Sequence, residues 1–219
     1  MVKNPVELAP SILAADASAL GDAVSRIRDA GLSWVHVDIM DAHFVPNLSF
    51  GPSVLRSLKN RHPDMFYDVH LMMDNPHLYI GAFAEAGAGG ITVHTEPDYP
   101  VQETLQEIHL KGCKVGITIK PGTSVYDLCP YLPFVDMVLL MTVEPGFGGQ
   151  HFMDVSYGRI GAVAKLRDEE KLNFRIEIDG GVTSENVAKC IGLGADTIVA
   201  GTEFFKRGPQ LLEAIRGAR

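Results

Sequence analysis

Pro10-Ser11-Ile12-Leu13-Ala14-Ala15-Asp16 lies at the end of the first strand candidate, Glu7–Leu13, where a dinucleotide-binding sheet would carry G-x-G-x-x-G. It contains no glycine, so an open doubly wound sheet serving a nicotinamide cofactor loses its main support. To its C-terminal side the chain repeats one pattern: a short β-branched run, a loop with Gly, Pro or Asp, then a longer stretch with helical spacing. The further strand candidates are Trp34–Met40, Phe66–Leu71, Gly90–His94, Lys114–Ile119, Met137–Met141, Phe174–Asp179 and Thr197–Ala200. Helical spacing marks Ala17–Ala30, Pro52–Lys59, Pro76–Ala86, Val101–Lys111, Val125–Leu132, Ser156–Glu170, Ser184–Leu193 and Gln210–Ala218. Several of these stretches end in glycine, as at Gly31, Gly87, Gly112 and Gly194, the usual stop of a helix. Eight such units in 219 residues, with no linker or break in composition, predict an α/β fold of the (β/α)8 TIM-barrel type. The expectation is one domain over residues 1–219, with the open sheet as runner-up.

Composition narrows the function. The chain is 46% hydrophobic and 21% charged, which supports one sizeable core and excludes disorder and fibrous repeats. Its formal net charge of −8, without blocks of like charge, speaks against nucleic acid or another polyanion as partner. A small phosphorylated substrate stays compatible with that charge, because oriented backbone N–H groups can hold one phosphate. Cys113, Cys129 and Cys190 are widely spaced, with no C-x-x-C pair, which points to a reducing, cytoplasmic setting. Met1-Val2-Lys3-Asn4-Pro5 lacks the apolar core of a leader, and no apolar run is long enough to span a bilayer, so a soluble, unprocessed protein is expected.

In a barrel the chemistry sits at the carboxyl ends of the strands. The second strand reads Trp34-Val35-His36-Val37-Asp38-Ile39-Met40, and alternation puts His36, Asp38 and Met40 on one face, with Val35, Val37 and Ile39 turned to the helices. An imidazole and a carboxylate inside a barrel are costly unless hydrogen-bonded, paired or bound to metal. The third strand offers His70 and Met72 on one face, and the seventh ends in Glu177-Ile178-Asp179-Gly180-Gly181. His36, Asp38, His70 and Asp179 thus form an N,N,O,O set suited to one divalent ion, Zn, Fe(II), Mn or Co, with room for substrate oxygens. Any one inward histidine reads equally as a hydrogen-bonded core residue; the set of four carries the argument. Met40, Met72 and Met141 recur at strand ends, as core filler or as a soft, uncharged lining.

Glycines cluster after the last three strands: Gly146-Phe147-Gly148-Gly149 after the sixth, Gly180-Gly181 after the seventh, and Gly201-Thr202 opening the last helix. Loops of this kind at helix N-termini match the common phosphate site of barrels. A phosphosugar ketone anchored there would place the proton alpha to its carbonyl between Asp38 and Asp179, which come from different strands. Removal from one face and return on the other inverts the carbon.

The segments Ala9-Pro10-Ser11-Ile12-Leu13, His36-Val37-Asp38-Ile39-Met40-Asp41, His43-Phe44-Val45-Pro46-Asn47, Asp68-Val69-His70-Leu71-Met72, Val143-Glu144-Pro145-Gly146-Phe147-Gly148-Gly149-Gln150 and Glu177-Ile178-Asp179-Gly180-Gly181-Val182 closely resemble ribulose-phosphate 3-epimerases, nearly end to end. The resemblance implies a barrel of the ribulose-phosphate-binding type that interconverts D-ribulose 5-phosphate and D-xylulose 5-phosphate in the pentose phosphate pathway or the Calvin cycle. Carried over by position, it implies His36, Asp38, His70 and Asp179 as metal ligands and Asp38 and Asp179 as the acid/base pair. It implies Ser11 and His70 as substrate contacts and Met40, Met72 and Met141 as the sulfur lining. The phosphate cradle would be Gly146, Phe147, Gly148, Gly149, Gly180, Gly181, Gly201 and Thr202. It also implies a homo-oligomer, a dimer or hexamer.

Two positions depart from the family pattern. Ala42 stands where glycine is usual; a negative φ there is expected, which makes the methyl harmless, whereas a positive φ would cost about 1 kcal/mol. Thr202 stands where serine is commoner, a change to which backbone N–H binding is indifferent. Three other readings remain. An allulose-6-phosphate 3-epimerase would use the same metal and acid/base groups but lack the full glycine pattern. A metal-free barrel of the tryptophan or histidine pathways would lack the two-His, two-Asp set. A non-catalytic phosphosugar-binding barrel is motivated by Ala42 alone.

Overall fold

A computed structural model describes residues 4–218; Met1–Lys3, the first part of the segment read for a leader, and Arg219 lie outside the described residues. Eight parallel strands, β1 (Glu7–Ala9), β2 (Trp34–Met40), β3 (Phe66–Met72), β4 (Gly90–His94), β5 (Lys114–Ile119), β6 (Met137–Met141), β7 (Arg175–Asp179) and β8 (Thr197–Val199), form one sheet. Each pairs with its neighbour in sequence from β2 to β8, and β8 pairs with β1. The ring closes between β1 and β2 through a bridge of Ser11 to His36, where His36 N–H donates to the Pro10 carbonyl at 3.0 Å. This is the expected (β/α)8 architecture.

The helices are α1 (Leu20–Asp29), α2 (Pro52–Arg61), α3 (Ile80–Ala86), α4 (Val101–Leu110), α5 (Val155–Glu169), α6 (Val187–Gly192) and α7 (Thr202–Gly217). Val35, Val37 and Ile39 are buried in the core between sheet and helices, together with Val24, Ile27 and Leu55 of α1 and α2. Burying them keeps β2 in the one register that turns His36 and Asp38 inward, since a slip by one residue would exchange the two faces.

The helices expected from Ala17 and Pro76 open as 3-10 turns, Ala17–Ala19 and Pro76–Leu78, before the α-helix begins, and four further elements differ from expectation for local reasons. The first strand stops at Ala9, and Ile12–Ala14 form a 3-10 turn whose Leu13 N–H is accepted by the Ser11 side chain at 3.3 Å. Val125–Leu132 is not an α-helix but two 3-10 turns, Val125–Leu128 and Leu132–Phe134; Pro130 has no N–H to continue a helix and its ring would meet the preceding turn. The sixth helix begins at Val187 rather than Ser184, because side chains take the earlier N–H groups, with Thr183 N–H donating to Asn186 Oδ1 and Glu185 N–H to Thr183 Oγ1. The last helix begins at Thr202 instead of Gln210 and is bent at Arg207, two residues before Pro209.

Candidate active site

The inward side chains of β2, β3 and β7 meet at the carboxyl end of the barrel. His36, Asp38, His70 and Asp179 each offer a ligand atom, and these atoms all lie within 4.8 Å of one another. His36 Nε2 is 3.3 Å from Asp38 Oδ1 and 4.0 Å from Asp179 Oδ2, and His70 Nδ1 is 3.2 Å from Asp38 Oδ1. All but Asp179 are buried.

The orientation of His36 is fixed from behind. Its Nδ1 donates to Asp68 Oδ2 at 2.6 Å, which leaves Nε2 facing the cluster. That nitrogen is buried and has no hydrogen-bond partner among the described residues. A lone pair held there without a donor is costly, and a divalent cation would satisfy it. The donor set of two imidazoles and two carboxylates therefore fits a metal ion.

The charges agree with that fit. Burial by itself would raise the Asp38 carboxyl, but the neighbouring His36 and His70 rings hold it well below the usual carboxylate range. Asp179 is pushed up to about 6 by burial and by the neighbouring Asp38 charge. Burial opposes a proton on His36, yet Asp38 and Asp68 raise it well above its ordinary value. The negative field that draws a proton to His36 would hold a cation in the same place.

Above the cluster opens a cavity of about 250 Å³. Ser11, Asp38, Met40, Met72, Met141 and Asp179 line its floor and walls, and Gly146, Phe147, Gly148, Gly149, Gly180, Gly181, Gly201 and Thr202 line its other side. His36 and His70 are absent from the lining; both lie fully buried beneath it. Ser11 is engaged with the protein, since its hydroxyl donates to Asp38 Oδ2 at 2.6 Å. Met40 and Met72 pack with Val45, and Met141 packs with Leu139 and Val143, so the three sulfurs belong to two separate small clusters.

The glycine side is built from backbone. Gly181 sits at φ +65, and a Cβ there would run into the backbone of Phe152. Gly201 caps α7 without a side-chain hydrogen bond, so no side chain competes for the N–H groups of its first turn. Phe147 is 54% exposed at the cavity rim. Asn47 Nδ2 donates to the Gly146 carbonyl at 2.7 Å and ties the loop after β2 to the loop after β6.

Ala42 lies in that first loop, and its φ of +61 overturns the expectation of a negative value. Its N–H donates to the Asn47 carbonyl at 2.9 Å, while Asp41 Oδ1 accepts from the N–H groups of His43 and Phe44. These bonds hold an L-residue in a conformation that favours glycine, at a cost of about 1 kcal/mol.

Sequence reading passed over Asp68, Glu177, His94 and Glu96. Alternation along β3 and β7 already puts Asp68 beside His70 and Glu177 beside Asp179, so the signal was present for both. Glu177 is fully buried, 3.7 Å from His36 Nδ1, and burial and the Asp68 charge push it well above its usual value, toward the neutral acid. His94 ends β4 on the inward face, while Glu96 lies in the loop beyond and has no periodic signature.

Comparison with known proteins supplies the context. A model of the ribulose-phosphate 3-epimerase family matches residues 7–205. A protein named ribulose-phosphate 3-epimerase from Treponema pallidum is 42% identical over 198 residues, 90% of each chain. One from Bacillus subtilis is 39% identical over 217 residues, covering 98% of this chain and 100% of the relative. One from Escherichia coli is 42% identical over 198 residues, covering 90% and 88%. Among solved structures, a mutant tryptophan synthase alpha-subunit from Pyrococcus furiosus superposes with a TM-score of 0.70 at 14% identity, covering 100% of this chain and 97% of that one, a likeness of fold alone. Among the described residues, no helix is long and apolar enough to cross a membrane.

Proposed function

This chain belongs to the ribulose-phosphate 3-epimerase family of carbohydrate isomerases, and from that premise we propose that it inverts C3 of a pentulose 5-phosphate with Asp38 and Asp179 as its two acid/base groups. The observation that carries the reading is the convergence of both carboxylates with His36 and His70 within 4.8 Å, at the floor of a cavity whose far side is glycine backbone.

His36, Asp38, His70 and Asp179 would hold the divalent ion. When bound, it supplies Lewis-acid stabilisation of the oxygen that becomes negative as the C3 proton leaves. The loops at Gly146–Gly149, Gly180–Gly181 and Gly201–Thr202 receive the phosphate through backbone N–H groups and the N-terminus of α7. Met40, Met72 and Met141 exclude water around the reacting carbons and bring no competing acid. Asp38 and Asp179 come from β2 and β7, so one carboxylate takes the proton from one face and the other returns a proton to the opposite face. A single acid/base group would return the proton to the face it left and restore the starting configuration. The two carboxylates share one cluster, so their titrations belong to the pair. Ser11 holds Asp38 through its short hydrogen bond. We further infer one barrel domain over residues 1–219, a cytoplasmic setting and a homo-oligomeric assembly.

The test is proton NMR in D2O of the chain with and without added Zn²⁺, Fe²⁺, Mn²⁺ or Co²⁺, supplied with D-ribulose 5-phosphate. Metal-dependent deuterium uptake at C3 together with D-xylulose 5-phosphate is the expected result. Turnover of allulose 6-phosphate alone would reassign the substrate, and no exchange on either sugar despite bound metal would replace catalysis by binding.

A further inference from the structure

Behind His70, on the side away from Asp38, stands a chain of hydrogen bonds that the proposed reaction does not use. Glu96 accepts three: from His94 Nδ1 at 3.0 Å, from the Lys120 N–H at 2.6 Å and from Thr123 Oγ1 at 2.6 Å. A carboxylate surrounded by donors can only accept, so His94 must carry a hydrogen on Nδ1. The other nitrogen of His94, Nε2, lies 2.9 Å from His70 Nε2. Two ring nitrogens at that distance need one hydrogen between them. The neutral His94 ring has its lone pair there, so the hydrogen sits on His70 Nε2. His70 is thereby left with Nδ1 as its lone-pair nitrogen, the atom 3.2 Å from Asp38 Oδ1 in the ligand cluster.

We propose that Glu96 and His94 are positioning residues, which act through His70 by fixing the tautomer and ring orientation that present Nδ1 to the metal. Asp68 does the corresponding work for His36 with a carboxylate in direct contact. On the His70 side the carboxylate is one imidazole further away, and His94 passes on its preference. Both rings of this relay are fully buried, so water does not compete for their nitrogens. Thr92, below His94 on β4, has an unpartnered hydroxyl among the described residues and offers the relay no alternative acceptor in use.

The inference rests on the metal reading above, and two measurements separate its failure from that of the reading. The first is the ¹⁵N spectrum of the histidine rings in metal-free and Zn²⁺-loaded protein. His94 is expected with its hydrogen on Nδ1 and a bare Nε2 in both. A hydrogen on His94 Nε2 would overturn the relay whether or not metal binds. The second is Zn²⁺ affinity by competition with a chromophoric chelator. Glu96→Gln, whose amide can donate to His94 Nδ1 and so reverse the relay, should lower the affinity tenfold or more and shift the His94 ring signals. Thr123→Val removes a different donor to the same carboxylate and should leave affinity and ring signals as in the wild type. Unchanged affinity in Glu96→Gln, or an equal loss in Thr123→Val, would assign Glu96 to holding the loop and overturn the proposal. A wild-type chain that binds no divalent ion, with His94 still bare at Nε2, would remove the ligand-orienting role along with the metal reading.

Discussion

The two sides of the cavity are made of different material. On the β2–β3 side the chemistry lies in side chains fixed to strands: His36, Asp38 and His70 sit on one face of two neighbours paired in register, with Asp38 opposite His70. On the β6–β8 side it lies in backbone, in loops where Gly146, Gly149, Gly180 and Gly181 take the positive φ that favours glycine. Strand-borne groups are dense, buried and mutually charged, so they suit a proton or a cation. Loop-borne N–H groups are neutral and carry no titration of their own, so they suit an anion without adding a pH dependence. The difference predicts that damage to the first side shows in turnover and pH dependence, and damage to the second in binding and stability.

The largest expected effect is on the charged side. Asp179→Asn should lower turnover by about 10²- to 10⁴-fold, as loss of a general acid/base group does, with a far smaller change in KM. A coupled assay for xylulose 5-phosphate reads it. A change confined to KM would place Asp179 with the binding groups and erase the contrast.

On the backbone side, Gly181→Ala forces a side chain onto φ +65 and against Phe152, which should cost about 1–3 kcal/mol of stability. Urea unfolding would show the loss, and substrate KM should rise with it. Retention of both would mean that the loop after β7 is free to move.

The pH dependence should report the aspartate pair. In the metal-free protein burial and the Asp38 charge push Asp179 up to about 6 from an ordinary 3.8, so over that range the folded pair binds a proton that the unfolded chain does not. Its contribution to stability is present below pH of about 4 and is lost as pH rises through about 6. Asp38 is depressed, so its contribution is present above its ordinary value and is lost as pH falls below it. Denaturation across pH 3 to 8 should therefore show the slope near pH 6 reduced in Asp179→Asn, with the share of Glu177, also raised by burial, remaining. An undiminished slope would contradict the raised Asp179 carboxyl.

The smallest effect concerns Ala42. Ala42→Gly relieves a positive φ of +61 but frees the unfolded chain, so the net change should stay within about 1 kcal/mol. A gain well beyond that, or a large rise in turnover, would show that the loop over the metal side is held in a strained position.

Much of this was legible in the chain. Alternation in Trp34–Met40 placed His36 and Asp38 inward because burying Val35, Val37 and Ile39 leaves only one register. The same rule applied to Asp68 and Glu177 would have found them, but a carboxylate behind a ligand has no signature of its own until its partner is placed. Glu96 was out of reach, since it joins His94 only through the fold of the loop that also brings Lys120 and Thr123. The φ of Ala42 was also hidden: it is set by the Asp41 and Asn47 hydrogen bonds, and residue type alone pointed the other way. Periodicity failed at Val125–Leu132 because Pro130 outweighs the apolar spacing.

The most direct test of the two-carboxylate account is solvent deuterium exchange at C3 of both pentulose phosphates, run in parallel with Asp38→Asn and Asp179→Asn. The account predicts that inversion of C3 falls by about 10²-fold or more in each variant and that the exchange remaining in each is concentrated on one of the two sugars; inversion at the wild-type rate by either variant would contradict it.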